Sequence, residues 1–177
     1  MDMQKPWTAV TYAQDFSGEG ASLGPQTILR LKKIASARDN GTNIDAVVLA
    51  GGLGPDVGEY PKQTRGFSEM MAEWLVDEGK FPSERVYHSD QGWNCIEVTL
   101  EMIRQIKAHR LPQNVLVVST GFHIYPRMWT AWSLLCAGKR NWSLAFVPEW
   151  AGSYGLIHEL LGTVKYVPMA FWYRGRV

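Results

Sequence analysis

Cysteine is scarce in this chain, charge of one sign never accumulates, and no apolar stretch is long enough to cross a bilayer. Each shortage excludes a class of protein. The two cysteines, Cys95 and Cys136, lie far apart in sequence, so they give neither a disulfide framework nor a four-cysteine zinc site, and they fit a reducing compartment. With 18 basic against 17 acidic residues and no long run of either, the formal charge is +1 and the electrostatic footprint of a nucleic-acid binder is missing. The opening residues, MDMQKPWTAV, hold no signal-like apolar segment behind a basic flank, and a spanning helix needs ~20 apolar residues. A cytoplasmic protein with no membrane span and no nucleic-acid partner is expected.

What the chain does have is an ordinary globular composition, 46% hydrophobic and 20% charged over 177 residues, with no repeat, low-complexity tract or linker to divide it. One domain over residues 1–177 is expected. Tryptophan is the unusual component, with eight in the chain and five of them, Trp129, Trp132, Trp142, Trp150 and Trp172, in the last third. They either fill the core or form a partner-facing patch.

Five segments read as strands: 7–13, 45–51, 84–89, 114–120 and 142–150. The second, DAVVLAG, and the fourth, NVLVVST, are near-continuous apolar runs, as expected of central strands covered on both faces. Helical patterns alternate with them. Residues 25–41 open on Pro25 and place Ile28, Leu31 and Ile34 on one face, and residues 65–79 repeat the spacing with Phe67, Met70, Met71 and Trp74. Residues 94–110 align Ile96, Leu100, Ile103 and Ile106, and residues 126–138 begin at Pro126. Residues 151–177 suggest a final helix and an aromatic tail, with a short strand around Val164–Val167. Strand and helix in alternation force right-handed crossovers, which build a three-layer α/β/α sandwich around a mainly parallel, Rossmann-like sheet.

In such sheets the ligand crevice lies outside the carboxyl ends of the strands. The sequence delivers polar residues to each of those ends: Asp15 after the first strand, GGLGPD with Gly51, Gly52 and Gly54 after the second, HSDQGWN after the third, and STGFHIYPR after the fourth. The glycine segment is either a plain turn or a loop that lets backbone N–H groups approach an anion; it matches neither the G-x-G-x-x-G nor the Walker pattern. Ser119, Thr120, His123 and Arg127 together read as an oxyanion site of hydroxyls, imidazole and guanidinium, with Pro126 starting the next helix and leaving His123 on a loop. Asn94 and Glu97, at the start of the third long helix, are either a helix cap or ligand contacts, and Glu69 has a similar placement. Asp15, Glu69, His88, Asp90, Glu97 and His123 are metal-ligand types, but no spacing among them matches a metal motif, so no metal site is assigned. Cys95 is either a buried inert thiol or, at a helix start, a nucleophile.

Taken together, these residues resemble the YdcF/SanA/ElyC-like family. Arg30 in the first helix, VVLAGG, Glu69 in SEMM, GWNCIE with Asn94 and Glu97, VVSTGFHIYPR and a terminal HELLG carry the resemblance, which runs from about Trp7 to Gly162. Gly92 and Cys95 stand where the family has hydroxyl residues, Ser119 and Thr120 are in swapped order, and the His123 to Arg127 spacing is one residue longer, which marks a divergent branch. The resemblance implies a Rossmann-like fold, a link to bacterial envelope biogenesis and S-adenosylmethionine as the one cofactor to test. The expected function is that of a binding protein or an enzyme for an anionic small molecule, nucleotide-like, adenosyl or a phosphorylated sugar; as an enzyme it would act on a phosphoryl or glycosyl bond. In that reading His123 is the acid–base group, because imidazole populates both protonation states near neutrality. Arg127 and Arg30 hold the anion, while Asp15, Glu69 and Glu97 orient hydroxyls or His123. The competing expectation is a non-catalytic module whose aromatic C-terminal residues, FWYRGRV, dock a protein partner.

Overall fold

The three most buried strands stack side by side and determine the rest of the architecture. The computed structural model describes the chain apart from residues 1, 3, 14, 19–20, 52–63, 93, 138, 140, 151–155 and 175–177. Strand β1 (Trp7–Tyr12) is buried throughout and lies between β4 (Ile44–Ala50) and β6 (Asn114–Thr120). Adding β5 (Val86–Ser89) and β7 (Ser143–Glu149) gives a five-stranded sheet in the order β5-β4-β1-β6-β7, parallel at every pairing. The two apolar runs singled out in the sequence are interior strands, as expected. The strand between them was the less conspicuous, because Thr8 and Thr11 interrupt its apolar character. Both are fully buried and satisfied, Thr8 Oγ1 donating to the Pro112 carbonyl and Thr11 Oγ1 to that of Val118.

Side chains alternate across the sheet and feed two cores. On one face Ala9, Val47, Leu49, Leu116 and Val118 pack with Leu31 and Ile34 of α1 (Pro25–Asp39) and Met71 and Leu75 of α2 (Phe67–Asp77). On the other, Val10, Val48, Val115 and Val117 meet Ile96, Leu100 and Ile103 of α3 (Cys95–Ala108) and Trp132 and Leu135 of α5 (Trp129–Cys136). The result is the expected three-layer α/β/α sandwich. Burying each such Leu or Ile contributes about 1.5–3 kcal/mol, so both layers are held chiefly by apolar area.

Three details differ from the sequence expectation. A two-residue ribbon, β2 (Phe16–Ser17) against β3 (Ser22–Leu23), follows β1 where only a polar loop was read. Residues Val164–Val167 are not a strand: α6 runs from Leu156 to Arg174 with Pro168 inside it. Packing overrides the β-branched preference there, since Ala170 is fully buried and Met169 and Tyr173 lie against the core of the α3 face. Finally, His123 is not on a loop. A helical turn, α4 (Gly121–His123), starts directly after β6, and the kink expected from Pro126 falls at Tyr125, whose φ of −121° and ψ of 111° are extended. Gly121 lets the Trp150 ring lie against this exit, since a Cβ there would overlap it.

Candidate functional site

Crossovers leave β1 toward one side of the sheet and β6 toward the other, so the carboxyl ends of these adjacent strands form the topological switch point. Six buried polar or ionisable groups from four parts of the sequence meet there. Arg30 reaches up from α1, fully buried, and its Nη1 donates to the Tyr12 carbonyl at 2.9 Å while Nη2 donates to Thr120 Oγ1 at 2.9 Å. The guanidinium carbon also stands 5.0 Å from the Tyr12 ring centroid, a cation–π distance. One arginine thereby ties the last residue of β1 to the last residue of β6.

The Tyr12 side chain leaves the opposite face, toward α3 and α4. Its hydroxyl is hydrogen-bonded to His123 Nε2, with the rings 5.6 Å apart. Cys95, the first residue of α3, brings its Sγ to 3.5 Å from the same nitrogen and 3.9 Å from the Tyr12 hydroxyl. All three are buried, with 9%, 7% and 6% exposure for Tyr12, His123 and Cys95. Ser119 shares their face: Val115 and Val117 of the same strand point to the α3 side, and alternation sends Ser119 with them. Its Oγ is completely buried with no hydrogen-bond partner among the described residues. An unpaired buried hydroxyl costs about 1–3 kcal/mol, which singles out Ser119 among the polar groups of this strand end.

The other polar residues of the rim have different employment. Asp15 accepts from Gln26 N at 3.0 Å and Thr27 N at 2.8 Å, the second and third residues of α1, and from the Thr27 hydroxyl at 2.9 Å. Gly24 leaves room for it, because a Cβ there would overlap the Asp15 carboxylate. Asp90 meets the start of α2 through a side chain, accepting from the Ser68 hydroxyl beside Gly66, where a Cβ would again overlap the carboxylate. Asn94 is the N-cap of α3, its Oδ1 accepting from Ile96 N and Glu97 N, each at 3.0 Å. The cap reading of Asn94 is thus realised. Gly92 has φ +91° and a Cβ there would lie 2.8 Å from Val98 N, so the first turn of α3 leaves no space for a side chain.

Glu69 and Glu97 are not brought to the Tyr12–His123 cluster. Glu69 lies on α2, across the sheet from α3, and pairs with Arg65 at 3.2 Å. The carboxylates of Glu73 and then Glu69 raise the Arg65 guanidinium above its ordinary value. Glu69 also lines a surface groove of about 360 Å³ with Glu73, Asp77 and His88. Glu97 follows Cys95 by two residues, which on a helix turns it to the opposite side, and it lines a second groove of about 330 Å³ with Glu101, Arg104 and Tyr173. Arg127 is half-buried in the kinked segment after His123. Gly51 closes β4 with φ +130°, its carbonyl accepting from Ser68 N, while Gly52 and Gly54 lie outside the described residues. Among the described residues no group of three His, Cys, Asp or Glu is placed to hold a metal ion.

Sequence reasoning missed Tyr12 altogether. It was readable as the last residue of β1, on the rim where the crevice rule applies, but an aromatic inside an apolar run looks like core. No family model matches the chain, and no curated protein matches it at a significant level.

Proposed function

We propose that the chain binds a small anionic molecule, a nucleotide-like, adenosyl or phosphorylated-sugar compound, at the β1/β6 switch point and acts on a phosphoryl or glycosyl bond there. The observation that carries this reading is Ser119, whose hydroxyl is fully buried and unpartnered among the described residues beside the Tyr12–His123–Cys95 cluster. His123 is the acid–base group. Arg127 contacts the anion, and Arg30 contributes its field, since two of its nitrogens already serve Tyr12 and Thr120. The reading also makes the chain a divergent member of the YdcF/SanA/ElyC-like family working in the cytoplasm, with S-adenosylmethionine among the compounds to test. The test is a thermal-shift screen of wild type and Arg127→Ala against nucleotides, S-adenosylmethionine, S-adenosylhomocysteine and sugar phosphates. A native-state ligand at a hundred times its Kd adds about 2.7 kcal/mol, a shift of several degrees for a domain of this size. The expected result is one responding class whose shift collapses in the variant; equal shifts in both proteins would remove Arg127 from the site.

A second reading rests on α6. Leu160, Leu161, Val164, Val167 and Phe171 are exposed at three- and four-residue spacing, with Trp172 beside them at 72% exposure. A solvent-facing apolar stripe of this kind suits a protein partner. Trp132, by contrast, is fully buried, so the tryptophans of the last third divide between core and surface. In this reading the 20.0 kDa chain self-associates or captures a partner through α6, and replacing Val164 and Phe171 by Ser abolishes it; concentration-independent monomer mass of the wild type would leave self-association without support.

A further inference from the structure

Cys95 and Cys136 are both buried, but their surroundings oppose one another. Cys136 closes α5, at the carbonyl end of a helix, and burial pushes its thiol up to about 11. Cys95 opens α3, where the helix dipole favours negative charge, and His123 Nε2 stands 3.5 Å from its sulfur. The ionisable groups that the described structure places against this thiol are Tyr12 from β1 and His123 from α4, with Arg30 of α1 behind the Tyr12 ring. Ser119 is an independent pointer to a ligand on the same face, because its hydroxyl is buried and unpartnered among the described residues.

We infer that Cys95 is the nucleophile of this site and that His123 is its base, in a displacement at the phosphorus of a phosphate monoester. The inference rests on the ligand reading above and adds a covalent step to it. The S–H proton passes to His123 Nε2 as sulfur forms a bond to phosphorus; the P–O bond to the leaving alcohol breaks, and that oxygen takes the proton back from Nε2. Water then attacks the S-phosphocysteine. Its proton goes to Nε2 and on to sulfur as the S–P bond breaks, so the cycle consumes one water and releases the alcohol and phosphate with no other co-reactant. The Tyr12 hydroxyl shares Nε2 with the thiol and accepts a hydrogen bond from it once that nitrogen is protonated, and Ser119 Oγ donates to a phosphoryl oxygen. Phosphate is the anion chosen because Arg30 and the N-terminus of α3 supply positive potential to these strand ends.

The test measures the rate of iodoacetamide labelling against pH in folded Cys136→Ala protein, where Cys95 is the remaining thiol, alone and with His123→Gln or Tyr12→Phe added. We expect labelling to be half-maximal below the ordinary thiol range of about 8.5, to return to that range with His123→Gln, and to slow at least about tenfold with inorganic phosphate. Tyr12→Phe keeps the ring and guards against a His123 variant that fails to fold; it is expected to move the profile in the same direction. Absence of labelling in the folded protein, or a profile indifferent to both substitutions, overturns the nucleophile, and indifference to phosphate overturns the phosphoryl assignment. Cys95→Ser separates the two proposals: a ligand-induced thermal shift that survives in this variant while labelling fails leaves the binding site standing and removes only the covalent step.

Discussion

Two stretches of one rim, the β1/β6 switch point and the helix starts that flank it, carry similar polar residues and use them oppositely. At the flanks Asp15, Asp90 and Asn94 spend their oxygens on the first turns of α1, α2 and α3. At the switch point Tyr12, Cys95 and His123 face one another, and the Ser119 hydroxyl beside them meets no described group. The difference teaches that a polar residue at a strand end is informative only once its hydrogen bonds have been followed. Four orphan N–H groups at every helix start demand acceptors, and the rim is where those starts gather. Polar convergence alone is therefore the default of this architecture, and the buried groups left over after the caps are served are the ones to test for a site.

The sharpest way to break the comparison is at Arg30, which holds the switch point together. Arg30→Ala removes two buried hydrogen bonds to Tyr12 and Thr120 and opens a cavity under the Tyr12 ring, and a loss of about 3–5 kcal/mol is expected from chemical denaturation. A loss below about 1 kcal/mol would mean that Arg30 is held for a ligand and not for the fold. A smaller effect belongs to the flank: Asp15→Ala strips α1 of its cap and should cost about 1–2 kcal/mol. Smallest of all is Ser119→Ala, expected within about 0.5 kcal/mol of wild type or slightly stabilising, because it deletes a hydroxyl that pairs with nothing described.

Much of the frame behind this contrast was legible in the sequence, because local pattern suffices for it. The Val and Leu runs of β4 and β6 and the three- and four-residue spacings of α1, α2 and α3 do not depend on distant partners. Ser119, Thr120 and His123 were likewise visible as residues near a strand end. What they touch was not. Asp15 becomes a cap only when the β2–β3 ribbon folds it back over Gly24, and the Tyr12–Cys95–His123 cluster joins positions 83 and 111 residues apart. The end of α6 misled for the opposite reason: Val164 and Val167 favour a strand locally, and the burial of Ala170 decides for helix.

The measurement that most directly tests whether the switch point and its flanks divide the work in this way is the ligand-induced thermal shift of Ser119→Ala and Asp15→Ala, side by side, with the compound class found by the wild-type screen. The account predicts that Ser119→Ala keeps its stability and loses most of the shift, while Asp15→Ala melts lower and keeps the shift in full. A full shift in Ser119→Ala together with its loss in Asp15→Ala would contradict the account and move the site to the start of α1.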